Sequence, residues 1–511
     1  MSKNIAVLPK SLIVFGLCVP VALLVGYFLA TPTELMSLSA VGLVLLVLCI
    51  PLLLRWHYPV LLFCWNANLS VFFLPGQPAL WMFAAGVSLF LTVLGCVMDK
   101  QIRFQNVPSM TWPLVFFSLV VLLTAKLTGG IGLRSLGAGT YGAKKLVFIL
   151  AAIVGYFAIS SQGIPVSKAE RYTGLYFLST ATGIMSNLIY IAGPAFYFLY
   201  LFFPVDNALG QAMEDFAGNA VGARFNRLPG VTAAAMGIFY VMLSRYGIRG
   251  ILDLSKPWRL LFMLLSLALS LLGGFRSALI IFGLVCACQF YFEGLFRTRF
   301  VLSLLLAAVL GGVFLMAFST RLPLSVQRSL SILPIEIDAA ARVDAQASLD
   351  WRLEMWKVLL PEVGRYFWLG KGYAINPTDM YLAAESTRRG LAKEYENSLV
   401  AGDYHSGPLS ILIPFGIFGL LGVVWLIVAG FRVLYRNYRF GDPALRKLNT
   451  FLLSYFIARV TFYFVGFGAL SNDLTLFLGV LGLSIALNGG VRAGNSVSEG
   501  GVTGSPDVQE C

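Results

Sequence analysis

Residues 300–319 read FVLSLLLAAVLGGVFLMAFS, twenty positions without a charged side chain, closed by Arg297 and Arg299 on one side and Arg321 on the other. At a rise of about 1.5 Å per residue a helix of this length measures about 30 Å, the thickness of a bilayer's hydrocarbon core. No water is available there to satisfy N–H and C=O groups, so the segment must bond its backbone internally, as a helix. Runs of this kind recur from Ser11 to Asn488. The reading of one therefore sets the reading of the chain.

Composition agrees. Of 511 residues 58% are hydrophobic and 12% charged, against roughly 45–50% and 25% in a soluble domain. Nothing alternates in ten-residue segments as a transmembrane β-barrel would. The expected fold is all-α and polytopic, with about 12–14 spans. Met36–Leu54 and Pro59–Leu74 read as separate spans joined by a turn at Arg55-Trp56-His57-Tyr58, and Ser11–Ala30 as a retained first helix. Tyr172–Phe203, interrupted by Gly193-Pro194, reads as a kinked helix or a helix plus a re-entrant piece. The seven cysteines fall in apolar runs or at the extreme C-terminus, which suggests no disulfide framework. The net charge of +13 sits largely in short loops and carries no nucleic-acid reader motif, so topology accounts for it.

With a cytoplasmic N-terminus, the inward connections hold Arg55; Lys100 and Arg103; Lys168 and Arg171; Arg245 to Arg259; Arg297 and Arg299; and Arg432 to Lys447. This satisfies the positive-inside rule. The implied organisation has N-terminal transmembrane helices over 1–319 and an exoplasmic (periplasmic) loop over 320–406. C-terminal transmembrane helices over 407–488 and a disordered cytoplasmic tail over 489–511 complete it. Within the loop, Leu349, Leu353, Trp356 and Leu360 recur at helical spacing and predict an amphipathic helix over Asp350–Leu360. The shorter outward loops Thr128–Lys145 and Pro204–Pro229 are further lid elements in this reading.

Basic residues that break the inside rule mark the candidate site: Lys126, Arg134, Lys144, Lys145, Arg224, Arg227, Arg276, Arg321, Arg328 and Arg352. Arg276 follows a tight Gly273-Gly274-Phe275 turn between apolar spans, where a guanidinium needs an anionic partner. Its planar fork suits phosphate oxygens. Carboxylates such as Glu336, Asp338 and Asp344 offer these arginines a purely structural alternative, as do lipid headgroups. The chain has two histidines. His57 reads as an interfacial anchor. His405, ending the long loop before Ser406-Gly407-Pro408, is the group that titrates near neutrality and so the natural general base.

His405-Ser406, nine residues, Gly416, two residues and Gly419 resemble the pattern of the O-antigen ligase and polymerase superfamily of lipid-linked glycan transferases. Asp350-Trp351-Arg352-Leu353-Glu354-Met355-Trp356 is similar to that family's loop-helix opening, and Leu369-Gly370-Lys371-Gly372-Tyr373 to its Gly-x-Gly stretch. Gly273-Gly274-Phe275-Arg276-Ser277 is similar to its Ser-Arg-Gly turn, with Phe in place of a small residue before Arg. The resemblance covers Leu260 to Gly430. It implies a membrane transferase of the GT-C-like kind in the bacterial inner membrane, both termini cytoplasmic, with its site on the exoplasmic face. Such enzymes move a glycan from undecaprenyl-diphosphate to an acceptor hydroxyl on a glycan or lipid, with inversion and without cofactor or obligatory metal.

Carried onto this chain, the resemblance implies His405 as base and Arg276 and Arg352 as the diphosphate clamp. Lys126, Arg134, Arg224, Arg321 and Arg328 are the further candidates for substrate binding. Asp403 or Glu396 would orient His405, and Gly416 and Gly419 would serve close helix packing. A polymerase of the same superfamily and, from another class, a flippase for lipid-linked glycans are the competing expectations.

Overall fold

The computed structural model describes residues 35–72, 74, 76–98, 104–132, 142–205, 227–298, 300–391 and 395–492, together with Val19, Ala22, Leu23 and Gly26. Most of the expected span Ser11–Ala30, Arg134, Arg224, and the tail beyond Arg492 lie outside the described residues.

In chain order the helices are α1 (Leu35–Asn66), α2 (Leu80–Met98), α3 (Pro108–Thr128), α4 (Ala143–Ser160), α5 (Ala169–Leu178), α6 (Ile184–Ala192), α7 (Pro229–Ile251), α8 (Trp258–Leu272), α9 (Arg276–Phe292) and α10 (Phe300–Phe318). There follow α11 (Leu324–Leu330), α12 (Ala339–Arg365), α13 (Pro377–Arg388), α14 (Glu396–Val400), α15 (Gly407–Phe440), α16 (Arg446–Val465) and α17 (Leu470–Asn488). Among the described residues, eight stretches are long and apolar enough to cross a membrane, and shorter apolar helices cover Trp258–Leu272, Arg276–Phe292 and Ala308–Arg321. The chain is a polytopic helical membrane protein.

Hydropathy alone does not say which apolar helix is central. α17 is buried almost all round, against α4, α15 and α16. Trp65 of α1 lies in the same core and donates from Nε1 to the Thr475 carbonyl at 3.2 Å. Gly479 of α17 and Gly155 of α4 make room for the indole: a Cβ at either would come within 2.1 Å of it. α10 is more apolar still, yet exposes Leu302, Leu306, Leu310, Val313 and Phe314, so its surface faces lipid.

Two expected boundaries change. Met36–Leu54 and the start of Pro59–Leu74 form one 32-residue helix that ends at Asn66, and Arg55–Tyr58 is helical rather than a turn. Neighbouring helices hold that stretch: Tyr58 Oη donates to the Ile159 carbonyl at 2.8 Å, and His57 Nδ1 lies 2.9 Å from Ser88 Oγ. His57 is thus built into the bundle rather than anchoring its rim. Tyr172–Phe203 divides into α5, a 3-10 stretch, α6, a break at Gly193 and a second 3-10 stretch over Pro194–Leu201.

The element that positions the site is α15, which is broken at Gly416 (φ 62°, ψ −160°). That backbone region is open essentially to glycine alone. An unbroken helix would bond Ile417 N–H to Ile413 C=O. Here Ile417 N–H donates to Phe367 C=O at 2.7 Å, and Ile413 C=O accepts from Lys371 N–H at 2.7 Å. Gly372 N–H bonds Pro414 C=O at 2.9 Å. Backbone from the 367–372 loop therefore fills the opened helical bond, as backbone groups in an apolar setting require. Gly370 (φ 76°) allows the approach, since a Cβ there would stand 2.2 Å from the Pro414 carbonyl oxygen. Gly416 thus acts through its own conformation and not through helix-on-helix packing as expected. At Gly419 a Cβ would meet Phe415 Cβ at 2.3 Å, within the same broken helix.

Gly416→Ala should cost about 3 kcal/mol, from the disallowed backbone and the clash with the Trp368 carbonyl. Thermal unfolding in detergent, compared with an exposed Gly→Ala control such as Gly364→Ala, measures it. Equal midpoints for the two variants would contradict the role assigned to the break.

Candidate functional site

The Gly273–Phe275 turn and α12 meet through Arg328, which is 4% exposed. Its Nε bonds the Asp344 carboxylate and its Nη1 the Gly274 carbonyl, and its Nη2 donates to Ser348 Oγ at 3.0 Å. Arg227 joins the same carboxylate at 3.6 Å. Arg276 opens α9 two residues beyond the carbonyl that Arg328 holds, within electrostatic reach of Arg328 and Asp344. Arg328 is therefore a tie between the turn and the loop helix, with its donors engaged inside the protein.

α12 runs from Ala339 to Arg365, well beyond the expected Asp350–Leu360. Its buried stripe is also different: Ala341, Ala345, Ser348, Met355 and Leu359 face inward, while Leu349, Leu353 and Leu360 are exposed. The periodicity is right and the face is rotated. Met355 and Leu359 pack with Tyr395, Tyr404, Leu409 and Ile413, a second apolar cluster that binds α12 to the start of α15. Arg352 lies on the same inward stripe, between Ser348 and Met355.

That placement brings Arg352 to His405. The guanidinium lies 5.6 Å from the Trp351 ring centroid and 5.5 Å from that of Phe467, within cation–π range. The imidazole contacts the same two rings, edge-on to Trp351 at 5.0 Å and tilted against Phe467 at 4.9 Å. Asp403 Oδ2 is 3.8 Å from His405 Nε2, an ion-pair distance and too long for a hydrogen bond. Asp403 is thus the carboxylate beside the imidazole. His405 adopts φ 49°, one of two non-glycine residues with positive φ among the described residues. Non-glycine residues in the left-handed region are uncommon and concentrate at functional sites.

Three polar atoms here are buried without a hydrogen-bond partner: Arg352 Nε, Asp403 Oδ1 and His405 Nδ1. Leaving such groups unpaired costs about 1–3 kcal/mol each, so each of the three would gain from a further hydrogen-bond partner. Burial holds the His405 imidazole below its ordinary pKa; Asp403 opposes the shift, and Arg352 and Lys145 add to it. Burial also brings Arg352 down to about 10, helped by Arg276, Arg227 and Arg328, with Asp403 opposing. Arg352 therefore stays charged at neutral pH, while the imidazole is free to accept a proton. The arrangement can bind a polyanion beside a neutral base.

Residues 260–424 match the family model described as O-antigen ligase. The match supports the O-antigen ligase/polymerase superfamily. A search of the curated proteins returns no match. The matched segment contains Arg276, Arg328, Asp344, Trp351, Arg352, Asp403, His405 and Gly416. It supports an O-antigen ligase/polymerase-type function for this multi-pass membrane protein.

Of the candidates read from sequence, Lys145, Arg227, Arg276, Arg328, Arg352 and His405 come together. Lys126 is exposed on the last turn of α3, and Arg321 is exposed with its guanidinium 5.8 Å from the Phe318 ring centroid. Phe467, outside the matched segment, was not foreseen; a lone aromatic between Gly466 and Gly468 gives no sequence signal. Trp351 was visible as part of a motif but had no assigned role.

Arg328→Met should lower stability by about 3 kcal/mol, since it strands the Asp344 carboxylate and frees the Gly274 carbonyl. A double-mutant cycle with Asp344→Asn checks this: a coupling of at least about 1 kcal/mol is expected, and additive effects would deny the tie.

Proposed function

We propose that the chain transfers a glycan from a polyprenyl-diphosphate donor to an acceptor hydroxyl on the exoplasmic face. The observation that carries this reading is the pairing of Arg352, itself within electrostatic reach of Arg276, with a half-buried imidazole whose backbone is held left-handed. A structural arginine cluster has no need of such a histidine.

In the proposed step the acceptor oxygen attacks the anomeric carbon as its proton passes to the His405 imidazole. The bond from that carbon to the diphosphate oxygen breaks, and the diphosphate leaves with the electron pair. One displacement inverts the anomeric centre. Arg276 and Arg352 neutralise the charge that grows on the leaving oxygen. Asp403 stabilises the imidazolium once it forms, and Trp351 and Phe467 keep ring and guanidinium in register.

Charge supports this sidedness. The opposite end of α15 and the connection to α16 bear Arg432, Arg436, Arg439, Arg446 and Lys447, a cluster suited to the cytoplasmic surface. α15 continues for 24 residues beyond its break at Gly416, about 36 Å of helix. That length is enough to span a bilayer, which supports an exoplasmic His405.

In proteoliposomes with lipid-linked glycan and an acceptor, His405→Ala should cut transfer by about 10²–10⁴-fold while binding of undecaprenyl diphosphate persists. Arg276→Ala and Arg352→Ala should weaken that binding. For the unsubstituted protein, kcat/KM should fall as pH drops through a value below the ordinary histidine pKa, because the protonated ring cannot accept a proton. Asp403→Asn removes an anion that favours the imidazolium, so it should move this acid limb to still lower pH. Full turnover by His405→Ala would end the proposal, and glycan translocation without transfer would favour a flippase. An acceptor that is itself lipid-linked would assign polymerase rather than ligase chemistry.

A further inference from the structure

We infer that Lys145, from the N-terminal half of the chain, is a positioning residue of the transfer site: it clamps the turn that carries Asp403 and His405. The inference rests on the reading of His405 as the base and adds a component that the matched segment 260–424 does not contain.

Lys145 stands in the first turn of α4. This is an unfavourable place for a cation, because the positive end of the helix dipole lies there. Its Nζ donates to the Gly402 carbonyl at 2.7 Å, across 257 residues of sequence, and lies 5.2 Å from the Tyr373 ring centroid. From the other side Trp356 Nε1 donates to the Tyr404 carbonyl at 2.9 Å. The carbonyls on either side of Asp403 are thus held by donors from two separate helices. The turn's own backbone bonds, Gly402 N–H to Leu399 C=O at 3.1 Å and Asp403 N–H to Ser398 C=O at 2.8 Å, close it from behind. His405 follows at once, in its left-handed conformation. A short turn that ends in a strained residue keeps its shape only when its surroundings over-determine it, and Lys145 is one of the two side chains doing so.

The charged groups facing the imidazole are Asp403 on its own turn, Arg352 on α12 and Lys145 on α4. Removing the Lys145 ammonium eases protonation of the ring, so the ring should titrate at higher pH. A lysine serving only as a helix prop would not move that titration. A lysine that bound the donor diphosphate directly would instead change donor affinity.

The test uses the full-length protein with isotope-labelled histidine. Its two ring signals are assigned by the loss of one in His405→Ala, and His57, outside the site, reports on the fold. In Lys145→Met the His405 signal should titrate higher by about half a pH unit or more, with His57 unmoved. Turnover should fall about 10- to 100-fold with the donor KM changed by less than about 3-fold, and Lys145→Arg should restore most of it. An unmoved His405 titration would overturn the inference, as would a raised donor KM at unchanged kcat. Should Lys145→Met disturb His57 as well, Lys145→Gln keeps a donor and removes the charge. The same upward movement is expected there, and its absence is decisive. The titration does not depend on turnover, so it separates failure of this inference from failure of the His405 base, which full turnover by His405→Ala would reveal.

Discussion

A peptide group in an apolar medium must find a hydrogen-bond partner, and the architecture around the site turns on one place where a helix declines to supply its own. At Gly416 the bond between Ile417 and Ile413 is opened, and Phe367 and Lys371 take the two vacated positions. This exchange fastens the loop between α12 and α13 to the interior of the bundle. Without it α12 would have only side-chain contacts, those of Met355 and Leu359 with the Trp356–Tyr404 bond and the Trp351 ring, to hold Arg352 over the start of α15. A conformation closed to every residue with a Cβ thereby sets the distance between the arginine and the histidine.

The charged groups depend on that docking. Arg328 reaches Gly274, Asp344 and Ser348 only because α12 lies against the Gly273–Phe275 turn. The remaining guanidinium groups then stand close together with little compensating negative charge. An anion entering the site relieves their mutual repulsion, and the strength of that gain scales with how thoroughly water has been excluded. Trp351 and Phe467 serve both purposes, screening the site from water and offering their faces to Arg352 while contacting the imidazole. The ring arrangement explains how a positive side chain and a proton acceptor coexist within one small volume.

Hydropathy showed the helical membrane class, and the spacing of short motifs from Gly273 to Gly419 showed which loops would matter. Arg276, Arg352 and His405 were legible because each departs from an expectation: two cations off the basic side, and the one histidine in a long loop. Arg328 was legible as a charge but not as a tie, since pairing with Asp344 is decided by how α11 and α12 meet. The helix over Asp350–Leu360 was legible as a helix, yet its buried face was not. Leu349, Leu353 and Leu360 are left outside, and the packing surface takes Ala341, Ala345 and Ser348, which allow close approach, together with Met355 and Leu359.

The sequence by itself determined the class of the protein, because no polar environment could absorb so many uncharged runs and no backbone could cross lipid except as helix. It also determined the chemical vocabulary of the site. The tertiary structure alone decided that α17, less apolar than α10, lies at the centre. It decided as well that Lys145 and Phe467, remote from the motifs along the chain, stand beside His405. Hydropathy is a property of single residues, whereas these assignments depend on shape complementarity between segments hundreds of positions apart, which is fixed only when the helices pack.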